Sequence, residues 1–147
     1  DPVFEKISAN LGKAVLSIGA VKGFEIGDGF SVAESNGAAN NDNFYVTEDG
    51  AIAKKTNHSG GTLGGMTDGS EIVFRTAFKP TPSIAQVQET VTTNMEEVEI
   101  EITGRHDPII VPRAVVVVES MAAITILDAL LLNMTARLDR ICEFYNR

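Results

Sequence analysis

Apolar residues near the start of the chain recur at three- and four-residue spacings, with Phe4, Ile7, Leu11, Ala14, Val15 and Ile18 on one stripe. Asp1 as an N-cap and Pro2 as the first helical residue predict an amphipathic helix over residues 1–18, with that stripe on a core. Residues 21–30 then mix short alternation with glycines, which predicts a strand running into a turn. Residues 34–56 are rich in Asn, Ala, Gly and Asp and form a surface loop, with short pairing around Phe44-Tyr45-Val46 and Ala51-Ile52-Ala53. The β-branched and aromatic run Ile72-Val73-Phe74-Arg75-Thr76-Ala77-Phe78 predicts a strand. Lys79-Pro80-Thr81-Pro82-Ser83 ends it, because neither proline can donate to a ladder. Val98-Glu99-Ile100-Glu101-Ile102 alternates strictly, as a strand with one wet face does.

The last third predicts one long helix from near Pro112 as far as Tyr145. Residues 114–134 are apolar on almost every side, the pattern of a fully buried helix. A membrane span is the competing reading, but Glu119 and Asp128 would each cost about 2.5–3.5 kcal/mol at a bilayer centre. The run Val115 to Val118 mildly opposes helix propensity, so packing has to enforce the helix there. So apolar a helix needs more cover than a few short strands offer, which leaves further sequence or partner subunits to supply it. The elements together make an α+β fold in which helices pack on antiparallel strands.

Charge and composition narrow the function. Acidic residues outnumber basic ones by 20 to 12, a net charge of -8, which disfavours nucleic acid and anionic lipid as partners. Hydrophobic residues make up 44% of the chain, in the range of soluble globular proteins. The single cysteine, Cys142, permits no internal disulfide and no thiolate metal cage, which fits a reducing cytoplasm. No secretory signal pattern opens the chain. It begins on Asp1 rather than Met and directly at a helix start, as expected of a piece cut from a longer protein.

Three turns carry candidate chemistry, each with a bland reading beside it. The backbone N–H groups of the glycine-rich stretch from Gly60 to Gly65 could line a phosphate or a flat ring, or the stretch could be a flexible loop. It lacks the spacing of a dinucleotide fingerprint and the ending of a P-loop. Lys79-Pro80-Thr81-Pro82-Ser83 could hold a phosphate through one cation and two hydroxyls, or be a structural turn. In Gly104-Arg105-His106-Asp107-Pro108, Arg105 could fork onto an anion and Asp107 could take a proton; alternatively the two form a surface pair at a helix-entry turn. With His58 and His106 as the only histidines, neither a hydrolase triad nor a zinc site is supported.

In order along the chain, these blocks resemble the chorismate synthase family. The family's closing signature, an Arg-x-Asp-Pro core followed by a stretch to Glu, stands here from Arg105-His106-Asp107-Pro108 to Glu119-Ser120-Met121, with Ile109 where the family usually has a smaller residue. Ser17-Ile18-Gly19-Ala20-Val21-Lys22-Gly23-Phe24-Glu25-Ile26-Gly27-Asp28-Gly29-Phe30, Gly60-Gly61-Thr62-Leu63-Gly64-Gly65-Met66 and Phe78-Lys79-Pro80-Thr81-Pro82-Ser83-Ile84 match further blocks. The resemblance implies a 1,4-elimination of phosphate from 5-enolpyruvylshikimate 3-phosphate to give chorismate, with reduced FMN that is not consumed. It carries flavin contacts onto Gly19, Ala20, Gly64, Lys79, Pro80, Thr81, Pro82, Ser83 and Arg105, and a proton-accepting role onto Asp107. It also implies a sandwich of helices between antiparallel sheets and a homotetramer.

The family's N-terminal half holds a Gly-Glu-Ser-His block, substrate-holding arginines and two histidines assigned acid roles. None of these blocks stands in this chain, so it is expected to be the C-terminal, flavin-contacting part and inactive alone. His58 and His106 lie in other blocks and receive no catalytic role. The rival reading is a non-catalytic flavin- or anion-binding domain that shares the turns.

Overall fold

The computed structural model describes residues 4–105, 107 and 109–146. Helix α1 spans Ile7–Leu16 and ends where the Ser17 hydroxyl donates to the Ala14 carbonyl at 2.6 Å. The expected start at Asp1-Pro2 lies outside the described residues. Lys6 is the extended N-cap and Phe4 is 84% exposed, so the stripe that enters the core is Ile7, Leu11 and Val15.

Strand β1 (Val21–Ile26) follows, then a short 3-10 helix at Gly29–Glu34. Three hairpin strand pairs and one longer-range partner complete the β structure: β2 (Phe44–Val46) with β3 (Ile52–Lys54), β4 (Thr62–Leu63) with β5 (Met66–Thr67), β6 (Phe74–Phe78) with β1, and β7 (Val87–Val91) with β8 (Glu97–Glu101). All four pairings are antiparallel, which agrees with the expected α+β class. The ladders are separate and two-stranded, and such ribbons are marginal unless something packs on them.

The β1–β6 ladder is the one that α1 covers. Phe24 pairs with Thr76 and Ile26 with Phe74, while Lys22 bulges between Val21 and Gly23. The Phe24 and Phe74 rings stack with centroids 5.5 Å apart. A Cβ on Gly12 would stand 3.2 Å from the Phe24 ring, so glycine there lets the helix settle on the strand. The core is correspondingly small: Ile7, Leu11, Val15, Val21 and Ala114.

Strand β7 was not foreseen, because Val87 and Val91 are separated by polar residues and the segment follows two prolines. Its partner β8 defines it. The wet-and-dry alternation expected of β8 is absent, since Val98 is 38% and Ile100 40% exposed.

The C-terminal expectation needs two corrections. The helix is not continuous to Tyr145: α2 spans Val111–Met134, Thr135 leaves helical geometry with its hydroxyl on the Leu132 carbonyl, Arg137 is extended, and α3 spans Leu138–Tyr145. Nor is α2 buried. Ala114 is its one buried residue, because α1 covers a single stripe of it and leaves Ile124, Leu127, Leu130 and Leu131 exposed. By length and composition α2 could cross a membrane.

Candidate functional site

Two of the expected flavin-contact blocks meet at the C-terminal end of α1. Ala20 has a φ of 70°, a left-handed conformation that turns the chain sharply from helix into β1. Its carbonyl accepts the Lys79 backbone N–H at 2.7 Å, one step beyond the Val21–Phe78 pair of the ladder. Gly19 and Ala20 thus sit beside the start of Lys79-Pro80-Thr81-Pro82-Ser83. In that turn Lys79, Pro80 and Pro82 are exposed and Thr81 and Ser83 half-buried. The Pro82 carbonyl is held by the Ile84 N–H at 3.1 Å and by the Gln88 amide at 2.8 Å.

The β7–β8 hairpin brings the second cation to the same region of the topology. Val87 pairs with Glu101, so Ser83 and Arg105, four residues outside that pair on either side, leave from the same end of the ribbon. Asp107 does not pair with Arg105; its carboxylate accepts from the Arg113 guanidinium on the first turn of α2, with both side chains more than half exposed. Among the described residues Lys79 and Arg105 make no ion pair. His106 and Pro108 lie outside the described residues.

Gly64 stands apart from this group. It and Gly65 are the two-residue turn of the β4–β5 hairpin, with φ of 58° and 90°, as a tight hairpin turn requires. The Gly65 carbonyl accepts the Ile7 N–H at 2.9 Å, which places the turn at the N-terminal end of α1. The 10 residues of α1, about 15 Å along the axis, lie between that end and the turn that leads to Ala20. A Cβ on Gly64 would meet nothing within 4 Å, so its surface is open.

The other glycines of the cluster serve packing. A Cβ on Gly60 would fall 2.4 Å from the Gly27 nitrogen, and one on Gly61 2.4 Å from the Glu71 carbonyl oxygen. The loop is therefore neither a flexible linker nor a uniform anion cradle: its first half is wedged between other backbone segments and its second half is a presented turn.

A buried polar network beneath this loop went unread in the sequence. Asp42, 8% exposed, accepts from Thr56 Oγ1 at 2.8 Å, the His58 N–H at 2.7 Å, the Ser59 N–H at 3.0 Å and Ser59 Oγ at 2.7 Å. Lys54, its side chain 4% exposed, donates to Asp68 Oδ2 at 2.7 Å, Ser59 Oγ at 3.0 Å and Asp42 Oδ2 at 3.4 Å. Burial by itself would raise the Asp42 carboxyl, but the bonds from Ser59, His58 and Thr56 outweigh it and hold it well below the usual carboxylate range. Burial likewise opposes the charge on Lys54, and its bonds to Asp68 and Asp42 more than offset that and raise it. The Lys54 bond lowers Asp68. Only one trace was legible: Asp68 opens an Asx turn to the Ser70 N–H at 2.9 Å, within Asp68-Gly69-Ser70. His58 joins a second pair, with Nδ1 2.6 Å from Asp28 Oδ2.

The chorismate synthase family model matches residues 1–131. Chorismate synthase of Agathobacter rectalis is 70% identical over 147 residues, all of this chain and 40% of its own length. That of Lachnospira eligens is 63% identical over the same 147 residues, again 40% of its length. A crystal structure of chorismate synthase superposes with a TM-score of 0.65 at 31% identity, covering 96% of this chain and 34% of that one. The chain thus spans about two fifths of the length of the curated relatives it matches.

Proposed function

This chain belongs to the chorismate synthase family, and from that premise we propose that the full-length product carries out the 1,4-elimination of phosphate from 5-enolpyruvylshikimate 3-phosphate to give chorismate, with this chain supplying part of a reduced-FMN site. The observation that carries the reading is the junction at Ala20 and Lys79. It sets a cation with no ion pair among the described residues, two hydroxyls and a rigid double-proline turn beside the left-handed Ala20 that follows α1.

The residues fit a flavin nucleotide. Lys79 and Arg105 are exposed cations without an ion pair among the described residues, suited to anionic oxygens. Thr81 and Ser83 add hydroxyl donors, Gly19 and Ala20 a bare turn, and Pro80 and Pro82 stiffen the segment. The open surface over Gly64 admits a flat ring edge where any side chain would intrude. Reduced flavin held there would supply electron density to the elimination. Asp107 would take the departing substrate proton, and its ion pair with Arg113 orients the carboxylate.

The exposed face of α2 supports assembly into a homotetramer, and that face is covered by protein rather than lipid in this reading. The net charge of -8 argues against nucleic acid, and the lone Cys142 suits a cytoplasmic setting. The test is phosphate release from the substrate with reduced FMN, by the full-length product and by the 147-residue chain. Turnover by the former and none by the latter is expected. A non-catalytic flavin-binding domain is the outcome if the full-length product binds FMN and releases no phosphate, or if its coding sequence upstream of Asp1 lacks the Gly-Glu-Ser-His block.

A further inference from the structure

The hairpin that presents Gly64 is short. Its ladder comprises two residue pairs, Thr62 with Thr67 and Leu63 with Met66, and a ribbon of that size does not hold its own geometry in water. Its two feet nevertheless end on one buried cluster. On the entering side, the Ser59 N–H and hydroxyl both donate to Asp42 Oδ2, at 3.0 and 2.7 Å, and the Ser59 carbonyl accepts from Thr62 Oγ1 at 3.2 Å. On the leaving side, Asp68 follows β5 directly and accepts Lys54 Nζ at 2.7 Å. Lys54 bridges the sides, since the same ammonium reaches Ser59 Oγ and Asp42. The feet are also joined by the Asp68 N–H on the Gly61 carbonyl at 3.1 Å.

We propose that Asp42, Lys54 and Asp68 are positioning residues for the cofactor site: a buried clamp across the feet of the β4–β5 hairpin that fixes where Gly64 stands. This inference rests on the reading that Gly64 faces the flavin. None of the three reaches Gly64 itself; they act through Ser59 and the backbone. A loop meant only to connect β3 to β6 needs no buried ammonium with two carboxylates, and desolvating three charges is costly unless their geometry is closely satisfied. The Asp42 carboxylate, with donors on both oxygens, meets that condition. A clamp of this kind holds a presented backbone in place before the ligand arrives, and so lowers the ordering cost of binding.

The test uses the full-length protein. Asp68→Asn keeps an acceptor in place and removes the charge that Lys54 bridges, and is expected to fold. Lys54→Met strands two buried carboxylates and is the more severe variant. In the FMN-free protein, amides 63–66 of Asp68→Asn should exchange about tenfold faster than wild type, and FMN titrated by fluorescence should bind about tenfold more weakly. The KM for the phosphorylated substrate, held by other residues, should be unchanged. Gly64→Asn tests the underlying reading: asparagine tolerates the left-handed conformation but fills the open surface, so it should weaken FMN binding without speeding exchange at 63–66. If Gly64→Asn loses affinity while Asp68→Asn and Lys54→Met bind FMN as wild type does, the clamp has no positioning role and the proposal is overturned. If all three bind normally, the reading of Gly64 falls and the proposal with it. Faster exchange and weaker binding in Asp68→Asn, with unchanged KM, support it.

Discussion

The carbonyl of Ala20 accepts the backbone N–H of Lys79 at 2.7 Å, which locks the turn after α1 to the turn after β6. The bond is made by main chain alone, and the exposed Lys79 side chain makes no ion pair among the described residues. Lys79→Ala should therefore leave folding intact while removing a charge-assisted contact worth about 1.5–3 kcal/mol, roughly a tenfold to hundredfold loss of FMN affinity in the full-length protein. A fluorescence titration that gives the wild-type Kd would remove Lys79 from the site.

Asp107 separates chemistry from stability. Its pair with Arg113 is more than half exposed on both sides, and such a pair contributes about 0–1 kcal/mol. Asp107→Asn should shift the thermal midpoint little and FMN affinity little, yet lower turnover strongly in the full-length enzyme. Normal turnover in this variant would mean that the carboxylate serves only the ion pair.

How far the sequence disclosed these features depended on their range. α1 and the strand at Phe74–Phe78 were legible because local periodicity and β-branched content determine them. The block containing Ala20 and the one containing Lys79 were each visible as a motif, but their contact is a tertiary pairing across more than fifty residues that no local pattern encodes. The Asp42–Lys54–Asp68 cluster was hidden for the opposite reason: it is assembled from polar residues in what composition marks as an exposed loop. An apolar helix reports that it needs cover but not where the cover comes from; within this chain α1 buries only Ala114 of α2, which fits the expectation that further sequence or partner subunits supply the rest.

The glycines of the 60–65 cluster should differ sharply on substitution. Gly60 has a φ of 64° and its added Cβ would sit 2.4 Å from the Gly27 nitrogen and 2.6 Å from the Val73 carbonyl oxygen, both immovable backbone atoms. Gly60→Ala should destabilise the full-length protein by about 3 kcal/mol or more, combining overpacking with left-handed strain. Gly64→Ala has the strain without the clash and should cost about 1 kcal/mol. Denaturant midpoints that rank the two variants in the other order would contradict the packing described for this loop.

The buried cluster predicts an acid sensitivity of definite sign. Asp42 and Asp68 have folded pKa values depressed below the unfolded value. Their stabilising contribution is present above the unfolded value of about 3.9 and is lost as pH falls through the folded values. Lys54 is raised, so its contribution holds below about 10.4 and fades only as pH rises through its higher folded value. Stability should thus drop steeply below about pH 4, and Asp42→Asn, less stable at neutral pH, should show a flatter dependence there. Parallel acid limbs for the two proteins in urea titrations would show that Asp42 does not carry the effect.

The exposed side of α2 makes the final prediction. Ile124, Leu127 and Leu131 recur at helical spacing and are 61%, 55% and 54% exposed, next to a groove that Leu127 lines together with Leu11, Phe74 and Ala123. A contiguous apolar stripe of this kind, on a chain with five buried apolar side chains among the described residues, drives association in water. The 147-residue chain should therefore sediment as a species larger than its 15.7 kDa monomer at micromolar concentration. Ile124→Glu combined with Leu131→Glu places two carboxylates in the stripe at positions that do not line the groove with Leu11 and Phe74, so it should shift the chain towards monomer with its helices retained by circular dichroism. A wild-type chain that sediments as a clean monomer would show that the stripe is no assembly surface, and a charged variant that stays associated would move that surface elsewhere on the molecule.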